Sequence, residues 1–147
     1  MGTPAVNLYH EDRAAWLAQQ AGLLRASCLS DLDLERLAET LEAELGNYRR
    51  EIKRRMRVLL AHLLKWKYQP DQRSTSWRGT IRVQRNDIKD VLAENPSLRS
   101  GVAQAIHEAY LQAVELAADE TGQLEDSYPR SCEWSEAEIL DDGFWPE

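Results

Sequence analysis

Glycine is scarce in this chain, and the seven that occur are scattered. They stand at positions 2, 22, 46, 79, 101, 122 and 143. Phosphate-cradling loops of the Walker or dinucleotide-binding kind need several glycines within a few residues, so neither is present. A Gly-x-Ser-x-Gly nucleophile elbow is missing as well. Histidine is scarcer still. His10, His62 and His107 are preceded three positions earlier by Asn7, Leu59 and Gln104, whereas a di-iron helical bundle requires Glu-x-x-His on two helices. No two histidines are four apart, and Cys28 and Cys132 are too distant in sequence to read as a zinc ligand pair. The sequence therefore gives no reason to expect a metal, a cofactor or a catalytic residue of familiar type, and enzyme activity ranks last among the readings.

Long apolar runs are absent too. The longest, around Val58 to Leu64, is interrupted by His62 and is far too short to cross a bilayer. Met1 to Asn7 shows no basic start leading into an apolar stretch, so no secretory signal is expected. With only two cysteines and no export signal, reduced thiols in a cytoplasmic protein are the expectation, with no membrane partner.

What remains is ordinary in amount and unusual in arrangement. The chain has 147 residues, 43% of them hydrophobic and 29% charged, which suits one globular domain with a real core. Its net charge of −7 hides a segregation. Arg49 to Lys89 holds 13 basic and three acidic residues, a net of +10, and the rest of the chain holds five basic against 22 acidic. A cationic middle between anionic flanks can mark a nucleic-acid surface, or segments that neutralise one another after folding.

The decisive pattern starts at Leu34 and continues through Leu37, Leu41, Leu45, Tyr48, Ile52, Met56, Leu59, Leu63 and Trp66. Steps of three and four define one face of a helix. No proline interrupts it. Asp33 suits the N-cap, Asp31 and Glu35 suit the positive end, Lys65 and Lys67 suit the negative end, and Pro70 closes the segment. Such a helix would be roughly 50 Å long at 1.5 Å per residue. Gly46 is its weak point, at about 1 kcal/mol relative to alanine, and Gly46-Asn47 is where a bend would fall.

Three shorter helices accompany it. The first, about His10 to Ser27, presents Leu17, Ala21, Leu24 and Cys28 as its inward row, widened by Trp16 and Leu23, with Cys28 a buried thiol. Another, about Ser76 to Glu94, turns Trp77, Ile81, Ile88, Val91 and Leu92 inward, with Gln84 and Arg85 interrupting. The last is expected to start with Asn95 as N-cap and Pro96 in its first turn, to bury Leu98, Val102, Ala105, Ile106, Ala109, Ala113 and Leu116, and to stop at Gly122. From Gln123 the chain is mostly irregular. Ser135 and Glu138 read as a capping box for one turn, and Trp134, Phe144 and Trp145 make the tail apolar enough to pack. The expected fold is all-α: a four-helix bundle-like single domain over 1–147, with one long central helix, a core of about 8–122 and a packed, irregular tail over 123–147.

Several local runs resemble a known family. His62-Leu63-Leu64-Lys65-Trp66 continuing to Tyr68-Gln69-Pro70 looks like the central signature of the bacterial domain-of-unknown-function family twenty-nine. The resemblance extends to Ser76-Trp77-Arg78, Asn95-Pro96-Ser97-Leu98-Arg99, Glu120-Thr121-Gly122, Cys132-Glu133-Trp134 and Ile139-Leu140-Asp141, with Leu8-Tyr9, Asp12 and Trp16 at the start. It covers about Leu8 to Pro146, and departs at Glu133, where proline often follows the cysteine. It implies a helical bundle and carries no activity, ligand or catalytic residue.

Two groups of residues stand out as candidates. His62 lies three after Leu59 and four before Trp66, so with Trp66 and Trp77 it could line a pocket. The plainer reading is a partly buried imidazole bonded to the next helix or the tail, with Trp16, Trp66 and Trp77 as core. The other group is basic: Arg50, Arg54 and Arg57 form a row on the long helix, joined by Arg78, Arg82 and Arg85. Glu35, Glu39 and Glu42 repeat the same spacing earlier on that helix. Each row wants opposite charge, from the acidic last helix (Glu108, Glu115, Asp119), from a second long helix in a homodimer, or from phosphates. A non-enzymatic protein-interaction domain, adaptor or self-associating, ranks first among the functional readings, with an unknown protein partner. Nucleic-acid binding through 49–89 comes second, and an enzyme with an unrecognised site near His62 third.

Overall fold

A computed structural model describes residues 5–147. The described chain is all-α, with no strand among its residues and one helix much longer than the others. Its helices are α1 (Ala5–Glu11), α2 (Arg13–Arg25), α3 (Leu34–Tyr68), α4 (Thr75–Glu94), α5 (Val102–Thr121) and the short α6 (Glu136–Leu140). No described helix is long and apolar enough to cross a membrane. The chain divides into two compact units, Met1–Gly46 and Asn47–Glu147, and the boundary falls inside α3 at the one glycine of that helix.

The first unit has a thin interior. Asp12 separates α1 from α2 and caps the latter, its carboxylate accepting from the Ala15 amide at 3.0 Å. Of its described side chains only Trp16 and Gln20 are buried. Tyr9 meets Trp16 edge-on at 4.9 Å between centroids and is covered by the guanidinium of Arg13. Gln20 ties α2 to the start of α3 by accepting from the Asp33 amide at 2.8 Å. Asp33 in turn caps α3, accepting from the Arg36 amide. The row Leu17, Ala21, Leu24, Cys28 points outward, contrary to the expectation, and Cys28 is exposed. The large ring of Trp16 sets the inward direction of α2 and takes Gln20 with it one turn on; the leucine row lies a quarter-turn away.

The second unit holds the core. Ile52, Met56, Leu59 and Leu63 of α3 pack with Ile81, Ile88 and Leu92 of α4 and with Val102, Ile106 and Ala109 of α5. Alanines at 105, 109, 113 and 117 give α5 a low ridge that lets a neighbour approach closely. Residues 59–66 are buried in unbroken succession, so this stretch of α3 is covered all round and not on one face alone. Ser74 caps α4. Asn95 does not cap α5: its amide donates back to the Val91 carbonyl at 3.0 Å, and Pro96–Gly101 forms a 3-10 stretch before α5 begins. Gly122 ends α5 in the left-handed region, φ 70°, where a side chain would be strained.

The tail packs as its composition predicts. Ser135 and Glu138 form the capping box of α6 in both directions, at 3.1 and 3.0 Å. Tyr128 and Ile139 are buried in the main core, and Trp145 lies 4.9 Å from Trp66.

Candidate functional site

Three places invite a functional reading. The first surrounds His62. Its Nδ1 stands 2.8 Å from the Val58 carbonyl. A carbonyl can only accept, so Nδ1 carries the proton and Nε2 of the neutral ring is left as an acceptor. Facing it at 3.4 Å is Nζ of Lys65, buried one turn further along α3. That ammonium also donates to Glu120 of α5 at 2.5 Å and sits 4.6 Å from the Trp77 ring centroid on α4. Burial is the main cause that lowers the His62 pKa below its usual value, opposed by the Val58 hydrogen bond. The Nε2 lone pair that general-base chemistry would use is therefore already taken by a lysine.

Trp66 belongs elsewhere. It faces the tail, against Trp145, with the Arg73 guanidinium 5.0 Å and that of Arg78 5.7 Å from its ring centroid. The trio of His62, Trp66 and Trp77 is thus divided: His62 and Trp77 meet through Lys65, while Trp66 anchors the C-terminus. Lys65 and Glu120 are what the sequence reading missed. Their only signal is a lysine set in an otherwise continuous apolar turn, and that signal does not identify its partner.

The second place is the arginine group. Arg50, Arg54, Arg78 and Arg82 are exposed and Arg57 half-buried. Arg85 is not a surface residue at all. It occupies the inward face of α4 in register with Ile81, Ile88 and Leu92, is completely buried, and donates from Nε to the Ile139 carbonyl at 2.8 Å and from Nη2 to that of Phe144 at 2.7 Å. Arg73 similarly donates to the Trp66 and Pro146 carbonyls. Other cations of the basic segment are paired: Lys53 with Glu108, Arg55 with Glu51 and Asp87, Lys67 with Glu133, and Lys89 with Asp142. The Lys53–Glu108 pair brings α5 beside the basic half of α3, although Lys53 is not itself in the row of Arg50, Arg54 and Arg57.

The third place is the first half of α3. The apolar row that is buried from Ile52 onward continues backward as Leu45, Leu41 and Leu34, which are 44, 72 and 68% exposed. Glu35, Glu39 and Glu42 flank this row on one side. Within the same unit, Leu17, Leu24 and Leu29 are exposed too. The expectation that all ten residues of the row bury one edge against shorter helices holds only for the later ones. Residues 35–46 carry four glutamates beside their leucines, and the unit they belong to has too few apolar neighbours to cover them.

Clefts of about 350 Å³ and 430 Å³ also occur in the second unit, one between Ile52, Lys53 and Leu98, the other between Tyr110, Cys132 and Trp134. Among the described residues, no group of three or more His, Cys, Asp or Glu side chains is placed to hold a metal ion. In comparison with known proteins, the family model described as "Domain of unknown function DUF29" fits residues 8–145. Neither the curated proteins nor the solved structures contain a match.

Proposed function

This chain belongs to the DUF29 family, whose description names no activity, and from that premise we propose that it is a non-enzymatic protein-interaction domain working through the leucine face of its first unit. The observation that carries this reading is the exposure of Leu34, Leu41 and Leu45 in one row. Scattered surface leucines are normal, but a contiguous apolar row edged by charge marks a binding surface. Since its edge is acidic, the partner it suits is an apolar helix face bordered by basic residues and free of acidic ones.

The competing nucleic-acid reading draws on fewer cations than the net of +10 indicates. Lys53, Arg55, Lys65, Lys67 and Lys89 are ion-paired and Arg85 is buried. A cytoplasmic address in a bacterial cell goes with the interaction reading, because an exposed free thiol such as Cys28 suits a reducing compartment. The test is photo-crosslinking in cells with benzoyl-phenylalanine placed at position 41, 45 or 43. Positions 41 and 45 lie in the row, while exposed Ala43 lies on the opposite face. Adducts of defined mass are expected from 41 and 45 and not from 43. No adduct, or the same adducts from all three, would refute the reading.

A further inference from the structure

We infer that the partner is a second copy of this chain, with α2 of each copy lying on the first half of α3 of the other. The inference rests on the interaction reading above and adds the identity of the partner to it. The acidic-edged leucine row calls for an apolar helix face with basic residues and no acidic ones. This chain owns such a helix. On α2, Leu17, Ala21 and Leu24 are exposed at spacings of four and three, which is one face. The only charged residues of α2 are Arg13 and Arg25.

Charge then selects the pairing. The first half of α3 sets Glu35, Glu39 and Glu42 against Arg36, so it is net acidic, while α2 is basic. Laying the first half of α3 on the same half of a second copy would oppose glutamates, and laying α2 on its own copy would oppose arginines. An antiparallel pair of α3 helices would set the glutamates against Arg50, Arg54 and Arg57 but leave the α2 leucines bare. Only α2 on α3 covers both leucine rows and pairs opposite signs. A two-fold axis makes that contact twice, as an isologous interface requires. The unit itself also needs cover. It has 46 residues, and its described interior is Trp16 and Gln20, whereas small units with so little core are usually completed by oligomerisation, disulfides or metals.

Sedimentation equilibrium of the purified full chain tests this, with far-UV circular dichroism as the check on folding. The native chain is expected to dimerise, and Leu41→Glu to weaken the dimer by at least about 100-fold, because a charge enters the apolar contact twice per dimer. A second pair of variants reads the arrangement. One chain carries Glu35→Lys, Glu39→Lys and Glu42→Lys; the other carries Arg13→Glu and Arg25→Glu. Each alone faces like charge at both contacts and should be monomeric, and an equimolar mixture should form a heterodimer with opposite charge at both. A native chain that stays monomeric at high concentration overturns the inference, and crosslinks from position 41 to a different protein would then leave the interaction reading standing. A dimer unaffected by Leu41→Glu, or two charge variants that each dimerise as well as the native chain, overturns it equally.

Discussion

Arg85→Met is the perturbation whose outcome the structure fixes most closely. Methionine retains the aliphatic stem against Ile81 and Ile88 and removes the guanidinium. Two charge-assisted hydrogen bonds to the tail are lost, those to the Ile139 and Phe144 carbonyls at 2.8 and 2.7 Å. Each contributes about 1.5–3 kcal/mol. Against this, the substitution relieves a buried cation that is incompletely satisfied: Nη1 has no partner, and burial pushes the Arg85 pKa down, offset in part by Asp142 and Asp141. Leaving one polar group bare costs about 1–3 kcal/mol, so the net destabilisation is about 2–4 kcal/mol. Urea unfolding followed by tryptophan fluorescence reads the total, and a midpoint lower by roughly 1–4 M is expected for a slope of about 1–2 kcal/mol/M. Hydrogen exchange locates the loss, which should fall on residues 135–147 first, since those two carbonyls lie in that segment. An unchanged midpoint, or faster exchange spread evenly over α3 and α5 with the tail unaffected, would show that Arg85 does not hold the tail.

Two further outcomes follow from the thiols and from His62. Because burial lowers the His62 pKa below 6.5, the unfolded chain binds this proton more readily than the folded one, and stability falls as pH drops from 6.5 through the lower folded value. His62→Gln should flatten that part of the urea-midpoint profile between about pH 7 and 5; a variant that loses stability as steeply as the native protein refutes the assignment. In the folded protein, exposed Cys28 should react with a thiol reagent at least about tenfold faster than Cys132, whose thiol is half-buried and pushed up by that burial. Two equal rates would contradict the placement.

The long helix was readable because its evidence is local and redundant: ten residues at steps of three and four, an aspartate to open it and a proline to close it. The capping box at Ser135 and the stop at Gly122 were readable for the same reason, as each is a few residues acting on their own backbone. The candidate sites were less so. Arg85 reads in the sequence as an interruption of the inward row of α4 and is instead part of it, because two tail carbonyls 54 and 59 positions later accept its hydrogen bonds. His62 was recognised as bordering the buried face, but its neighbours there, Lys65 and Glu120, meet only when α3 and α5 are packed. The row Leu17, Leu24 on α2 had the right spacing for burial and is exposed, since spacing shows that a helix has an apolar face and does not show what covers it.

Sequence alone determined the class of fold, the extent of α3, the stop of α5 at Gly122, the capping box that opens α6, and the absence of phosphate-loop and helical-metal motifs, because all of these depend on residues within a turn or two of one another. Tertiary structure decided which apolar rows are covered, which cations are spent on partners inside the chain, and where the tail is fastened. Those outcomes depend on contacts between segments dozens of residues apart. The same leucine periodicity runs the length of α3, yet from Ile52 it lies in a core and before Gly46 it meets solvent.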